Sequence, residues 1–173
     1  MKVTSGIVRR VDELGRVVIP KEMRRTLRIK EGEEMEVLVK SESEILLRKY
    51  SAVKALSDFA DELVESLYSV AACSALICDT GEITHAATEK QTYLNRPISD
   101  FLDRALRQRK AVYLPDQNVK LSDDAPAYKH TVIAPIIFKG DVAGGVILAS
   151  NTNLNENCKK LAELTADILA KQF

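Results

Sequence analysis

The chain has 173 residues, no net charge, 46% hydrophobic and 29% charged content, which fits one ordinary globular domain or two small ones. No run of about 18 apolar residues occurs and the opening MKVTSGIVRR lacks an apolar stretch, so neither a membrane-spanning helix nor a secretory signal is expected. Cys73, Cys78 and Cys158 form no CxxC or Cys/His cluster, which argues against a metal site or a disulfide scaffold and predicts buried free thiols in a reducing cytoplasm.

The charge is unevenly placed. Residues 1–30 hold nine bases and three acids, a net of +6, while residues 31–50 hold three bases and six acids. Residues 1–50 therefore carry +3 and the remainder −3. A basic head on an acidic body points to an anionic partner for the head.

The first fifty residues read as short strands around one helix. GIVRRV predicts a strand, Asp12-Glu13-Leu14-Gly15 a tight turn, and Arg16 to Ile19 a second extended run. Pro20 suits the start of a helix running to about Arg28. Met35 to Lys40 and Glu44 to Lys49 predict two strands joined by a turn at 41–43. About fifty residues rarely bury enough apolar area to fold alone. The expectation is an obligate homodimer with intermeshed strands.

A second region begins at Ser51. Apolar residues from Val53 to Val70 recur every three or four positions and predict one long amphipathic helix. Strands follow over 74–79 and to about Ala87, around the turn Asp79-Thr80-Gly81-Glu82. Ser99 caps a helix of about ten residues. Residues 115–127 read as polar and irregular. His130 to Phe138 and Val142 to Ser150 are strong strands joined at Lys139-Gly140-Asp141, a hairpin signal. A last amphipathic helix covers 155–173. Its apolar stripe is wide enough to touch both its own sheet and a neighbouring helix, and a partner chain could supply that neighbour. The class is α+β, with residues 1–50 and 51–173 as separate domains.

The cations of the first helix are arranged in a way that needs explaining. At 100° per residue, Lys21, Arg24, Arg25 and Arg28 share a wedge of roughly 100°, with Met23 and Leu27 opposite. All the close pairs within the wedge are like-charged, which costs a few tenths of a kcal/mol each. Arginine suits bidentate capture of phosphate or guanine edges. In a dimer the wedge occurs twice, and duplex DNA is an anion of that size and symmetry.

TSGIVRRVDELGRVVIPKEMRRTLRIKEGEEMEVLV resembles the DNA-binding domain of AbrB/SpoVT-type bacterial transition-state regulators. The resemblance implies an N-terminal swapped-hairpin β-barrel, dimeric, followed by a GAF-like α+β domain over 51–173; VAGGVILAS adds to the second match. It places DNA contacts on Arg9, Arg16, Arg24 and Arg25. Lys2 and Arg10 are candidate further phosphate contacts, and Arg28 completes the wedge. It also implies regulation of sporulation-stage genes in an endospore-forming bacterium, and loosely defined target DNA read by shape. A GAF-like domain implies either a regulatory site for an unknown small molecule or helix-mediated assembly of dimers into a tetramer. The candidate ligand groups are Asp79, His85, Tyr93, Tyr128 and His130, under a lid from Leu114 to Tyr128.

No GxSxG, HExxH, phosphate loop or CxxC occurs, so catalysis is not expected, and neither a metal nor a cofactor. Gly144-Gly145 lies inside a strand, where close packing against a helix explains it better than dinucleotide binding. The alternative reading is an antitoxin, since some antitoxins use the same DNA-binding barrel. Their toxin-binding tails are usually disordered, whereas residues 51–173 are apolar and periodic.

Overall fold

The computed structural model describes residues 6–27, 29 and 31–173, and Lys2 and Arg28 lie outside this set. The chain divides into two compact units, Met1–Tyr50 and Ser51–Phe173.

In the first unit, α1 spans Lys21–Thr26, with Pro20 as N-cap. Strands β1 (Met35–Ser41) and β2 (Glu44–Lys49) form an antiparallel hairpin that pairs Val37 with Leu47 and Val39 with Ile45. The expected strands at 6–11 and 16–19 are absent as ladders; both segments run without a sheet partner. Strand hydrogen bonds need a second strand, and the described residues of one chain offer none to them. The helix ends at Thr26 with Leu27 as its C-cap, and the expected end near Arg28 lies outside the described residues.

This unit has almost no core of its own. Among its described residues only Pro20 is buried. Val8 is 90% exposed, Val39 82% and Ile45 71%. Met23 and Leu27, the apolar face of α1, are also exposed.

The second unit is well packed. Helices α2 (Ala52–Ala55) and α3 (Ser57–Ala71) replace the single expected helix, broken at Leu56. There follow β3 (Ser74–Asp79), β4 (Ile83–Ala86), the short α4 (Lys90–Tyr93) and α5 (Asp100–Arg107). Next are β5 (Val112–Leu114), β6 (Val119–Lys120) and β7 (Ala127–Tyr128), with β6 and the start of β7 inside the stretch expected to be irregular. Strands β8 (His130–Phe138) and β9 (Asp141–Ser150) and helix α6 (Cys158–Ala170) complete the unit. The main sheet is antiparallel in the order β4-β3-β9-β8-β5.

Both sheet faces are covered, and alternate residues along each strand serve opposite cores. Ala75, Ile77, Val146 and Leu148 face α3 and α6, joining Val64, Ala162 and Leu169. Leu76, Cys78, Ile147 and Ala149 join Leu102 and Leu106 of α5 and Leu121, just after β6. The neighbour of α6 is α3 of the same chain, so the wide stripe does not by itself call for a partner helix. The β8–β9 turn places Lys139 at φ +48° and Gly140 at φ +87°, which suits a tight two-residue hairpin.

Candidate nucleic-acid interface

The basic head is built on one turn and one helix. Asp12 organises the turn. Its Oδ1 accepts hydrogen bonds from the Leu14 N–H (3.0 Å) and the Arg16 N–H (2.8 Å), and its Oδ2 accepts from Arg16 Nε (2.8 Å). The Asp12 N–H donates to the Arg16 carbonyl at 3.0 Å, and Gly15 supplies the positive φ of +76° that closes the loop. Hydrogen bonds from the Arg16 backbone and then its guanidinium hold the Asp12 carboxyl below its ordinary pKa. Asp12 thus stays charged and fixes the direction of Arg16. Sequence reasoning missed this role, although an Asp two and four residues before its N–H partners is the usual signal of such a turn.

Arg9, Arg10, Arg16, Arg24 and Arg25 are all exposed. The Arg9 guanidinium donates to the Val8 carbonyl at 3.0 Å. The hairpin cations differ from those of the helix. Lys40 pairs with Glu44 (3.1 Å), Arg48 with Glu36 (2.6 Å) and Lys49 with Glu33 (2.9 Å). Among the described residues, Lys21, Arg24 and Arg25 have no such acid. Exposed pairs contribute little stability, but they decide which cations remain available to an outside anion. The excess sits on α1 and on the segment before it.

The five candidate ligand groups of the second unit do not converge. Asp79 is buried and its Oδ1 accepts from the N–H groups of Gly81 (2.7 Å) and Glu82 (2.8 Å), so it serves its own turn. His85 lies beneath α3, with Nε2 3.4 Å from Ser57 Oγ and Nδ1 2.9 Å from Thr84 Oγ1. Burial pushes its pKa down. Tyr93 and Tyr128 do come together, with ring centroids 6.0 Å apart in a stack on the opposite core. The Tyr93 hydroxyl donates to the Pro126 carbonyl (3.3 Å), and the Tyr128 hydroxyl reaches Ser74 Oγ (3.2 Å) and the Glu89 carboxylate. Burial raises the pKa of both phenols. His130 stands apart at the sheet margin, 3.6 Å from Asp116 Oδ1 and 3.4 Å from the Tyr113 hydroxyl. A cleft of about 550 Å³ opens beside Ser99, Phe101, Arg104, Val119 and Lys120, and none of the five lines it.

Among the described residues no group of three or more His, Cys, Asp or Glu side chains could hold a metal, and no helix is long and apolar enough to cross a membrane.

Comparison with known proteins also divides the chain in two, with the matched segments meeting at residue 55, the last of α2. A family model described as antidote-toxin recognition MazE, bacterial antitoxin, matches residues 8–55. A second, described as stage V sporulation protein T C-terminal, transcription factor, matches residues 55–173. The chain is 42% identical to stage V sporulation protein T of Bacillus subtilis (strain 168) over 180 aligned positions, covering 100% of this chain and 99% of that protein. It is 60% identical to the transition state regulatory protein AbrB of the same organism over 47 residues, 27% of this chain and 48% of that one. In structure it is similar to the GAF domain of an Acinetobacter phosphoenolpyruvate-protein phosphotransferase, with a TM-score of 0.56 over 71% of this chain and 82% of that one at 10% identity. At that identity the likeness concerns the fold, and it makes the second unit GAF-like. With an AbrB/MazE-type head, a GAF-like body and a relative matched along its whole length, the chain belongs to the stage V sporulation protein T family of AbrB-type regulators.

Proposed function

We propose that this protein is a DNA-binding transcriptional regulator of sporulation-stage genes, working in the cytoplasm. Residues 1–50 form the DNA-binding domain and residues 51–173 the regulatory and assembly domain. The observation that carries the reading is the exposed, acid-free set of Lys21, Arg24 and Arg25 on α1, with Arg16 fixed by Asp12 in the preceding turn. Arg9, Arg10, Arg16, Arg24 and Arg25 contact the duplex, with Lys2 and Arg28 as further contacts.

The head works as a swapped dimer. Support comes from its bare apolar surface: Val8, Val18, Val39 and Ile45 are each more than 70% exposed in a single chain. Exposure on that scale in so short a unit is not stable in water. A second copy covers it and gives the segments at 6–11 and 16–19 their missing strand partners. The second domain joins dimers into a tetramer through α3 and α6, whose Tyr68 (40% exposed) and Leu164 (58%) remain bare. Two heads on one assembly gain avidity on nearby sites. The tyrosines proposed for a ligand satisfy each other and their neighbours, which favours assembly over ligand sensing.

The MazE-type match favours a second reading, an antitoxin whose second domain binds a protein. The folded GAF-like unit weighs against it, because a toxin-binding tail is expected to be disordered.

The test is duplex binding by fluorescence anisotropy across a salt series, with the full chain beside Arg24→Ala/Arg25→Ala. Each phosphate that the variant no longer neutralises flattens the log–log slope by about 0.9. A dimer stripped of four such arginines should show a slope shallower by up to about 3.6, with an unchanged oligomeric state. An unchanged slope would remove these arginines from the interface. Absence of binding by the folded wild type at low salt would count against both readings, since the antitoxin alternative also binds DNA.

A further inference from the structure

Ser57, His85 and Thr84 form a chain of hydrogen bonds that the proposed function does not use. Ser57 is the first residue of α3, and its hydroxyl oxygen lies 3.4 Å from His85 Nε2. His85 Nδ1 lies 2.9 Å from Thr84 Oγ1, and the Thr84 hydroxyl donates to the Ile77 carbonyl at 3.1 Å. Thr84 is the extra residue of a bulge. Ile77 pairs with His85 and Cys78 with Ile83, which leaves Thr84 between them without a partner on β3.

These bonds fix the tautomer of His85. A hydroxyl has one proton, and that of Thr84 goes to Ile77. Towards His85 its oxygen can then only accept, so Nδ1 carries the ring proton and Nε2 keeps a bare lone pair. That lone pair faces the Ser57 hydroxyl. His85 is 3% exposed, whereas Ser57 is open to solvent. A base is thus held in one tautomer beneath a nucleophile that a reagent can reach, the pairing that activates a serine. A length of 3.4 Å is usual before a substrate draws such a pair together. Nor does the hydroxyl cap its helix: α3 begins without a side-chain cap, and Ser57 is turned to the imidazole instead. The first N–H groups of a helix have no acceptor within it and can receive the oxyanion of an attacked carbonyl.

We infer that Ser57 is a site of covalent acylation by an activated ester, with His85 as its general base. The Ser57 oxygen attacks the acyl carbon, and its proton passes to His85 Nε2. The bond between the acyl carbon and the leaving oxygen breaks, and the imidazolium returns the proton to that oxygen. One ester is formed on Ser57, one is broken in the donor, and nothing is oxidised or reduced. Thr84 touches neither reactant and is a positioning residue. Burial lowers the His85 pKa most, Asp61 on α3 and Asp79 on β3 raise it, and Lys54 on α2 lowers it, so the ring is neutral and free to accept a proton at pH 7. The modified residue would lie close in sequence to the boundary between the two units.

The experiment incubates the full-length protein with p-nitrophenyl acetate and reads nitrophenol release, intact mass and peptide maps. The expected product carries an acetyl group on Ser57, released by hydroxylamine as an ester is and an amide is not. The rate should rise with pH and level off above the ordinary histidine value of about 6.5. His85→Gln should slow acylation by about 100-fold or more, and Ser57→Ala should abolish the acetyl ester. Thr84→Val should lower the rate and move the midpoint of the pH profile. Ser69→Ala, whose hydroxyl bonds the Glu65 carbonyl further along α3, should change nothing. Acetyl groups confined to lysines or Ser69, an unlabelled chain, a rate still climbing above the histidine range, or a rate that His85→Gln leaves unchanged would each overturn the proposal. The wild-type map and pH profile decide the matter even if a variant fails to fold.

Discussion

Adding one methyl group at either of two adjacent glycines should have unequal effects. In Gly144→Ala the new Cβ would lie 2.1 Å from the Cys78 carbonyl oxygen and 3.1 Å from the Asp79 Cα. An ordinary carbon–oxygen approach is about 3.3 Å or more, so the backbones must part by about an ångström. Those backbones are β3 and β9, paired from Ser74↔Ala149 to Asp79↔Gly144 at the centre of the sheet. Overpacking typically costs about 1–3 kcal/mol, and each ladder hydrogen bond broken adds about 1 kcal/mol. The expected loss is about 3–4 kcal/mol, a large part of a typical domain stability of about 5–15 kcal/mol. In Gly145→Ala the new Cβ would meet Leu106 Cδ2 at 2.3 Å. That atom ends a flexible side chain, so the cost should be nearer 1–2 kcal/mol, at the mild end of the overpacking range of about 1–3 kcal/mol. A double-mutant cycle separates the two cases. Leu106→Ala should offset part of the Gly145→Ala loss, by about 0.5 kcal/mol or more, and none of the Gly144→Ala loss. Urea unfolding followed by near-ultraviolet circular dichroism reports the second unit, which holds Tyr68, Tyr93, Tyr113 and Tyr128; only Tyr50 lies outside it. If Gly144→Ala were neutral, or Leu106→Ala rescued both variants equally, this account of the glycine pair would fall.

Asp12→Ala removes a negative charge from the turn proposed to face DNA, so charge alone predicts tighter binding; because the Asp12 carboxylate fixes Arg16 through two hydrogen bonds and accepts a third from the Leu14 N–H, the expected result is weaker binding at constant salt, and a gain in affinity would show that the turn needs no such bracing. His85 should make stability depend on pH: burial lowers its folded pKa, while Asp61 and Asp79 pull it up and Lys54 pushes it down. The unfolded chain therefore takes up the proton first, and stability is full above the ordinary histidine value of about 6.5 and declines as pH falls through it. The urea midpoint should drop between pH 7 and pH 5, and His85→Gln should flatten that drop; an equal slope in the variant would assign the pH dependence to other groups.

The elements most legible in the sequence are those whose partners lie in the same chain. Strand 74–79 and the 130–138/141–150 hairpin announce themselves through runs of Ala, Ile, Val and Leu, because both faces are buried, and through Gly140 at the turn. The break at Leu56 is hidden because the apolar period runs unchanged through it. Strands β6 and β7 are two residues each, too short to impose alternation, so they read as irregular loop. GIVRRV carries a strand pattern, yet no ladder forms among the described residues: pattern records what a segment prefers, and pairing requires a second strand. Of the pair Gly144-Gly145, expected to pack closely against a helix, Gly145 does so through the Leu106 methyl of α5, whereas Gly144 packs against the β3 backbone at Cys78. The cationic wedge is legible because like charges at helical spacing are costly and stand out. The ligand candidates are not, since polar residues at strand ends look alike in sequence whether they share a pocket or, as with His85 and Tyr93, sit on opposite sides of a sheet.

The bareness of the first unit has a consequence for dosage. A head whose only buried described residue is Pro20 has little to hold it together by itself. In the proposed dimer its folding and its pairing become one event, second order in protein concentration. Below the pairing threshold such a head is unfolded and open to proteases, rather than folded and waiting for DNA. Halving the amount of protein would then cost more than half of the DNA-competent species. A regulator built this way responds to its own abundance as a switch, and the steepness is written into the apolar side chains that one chain leaves uncovered.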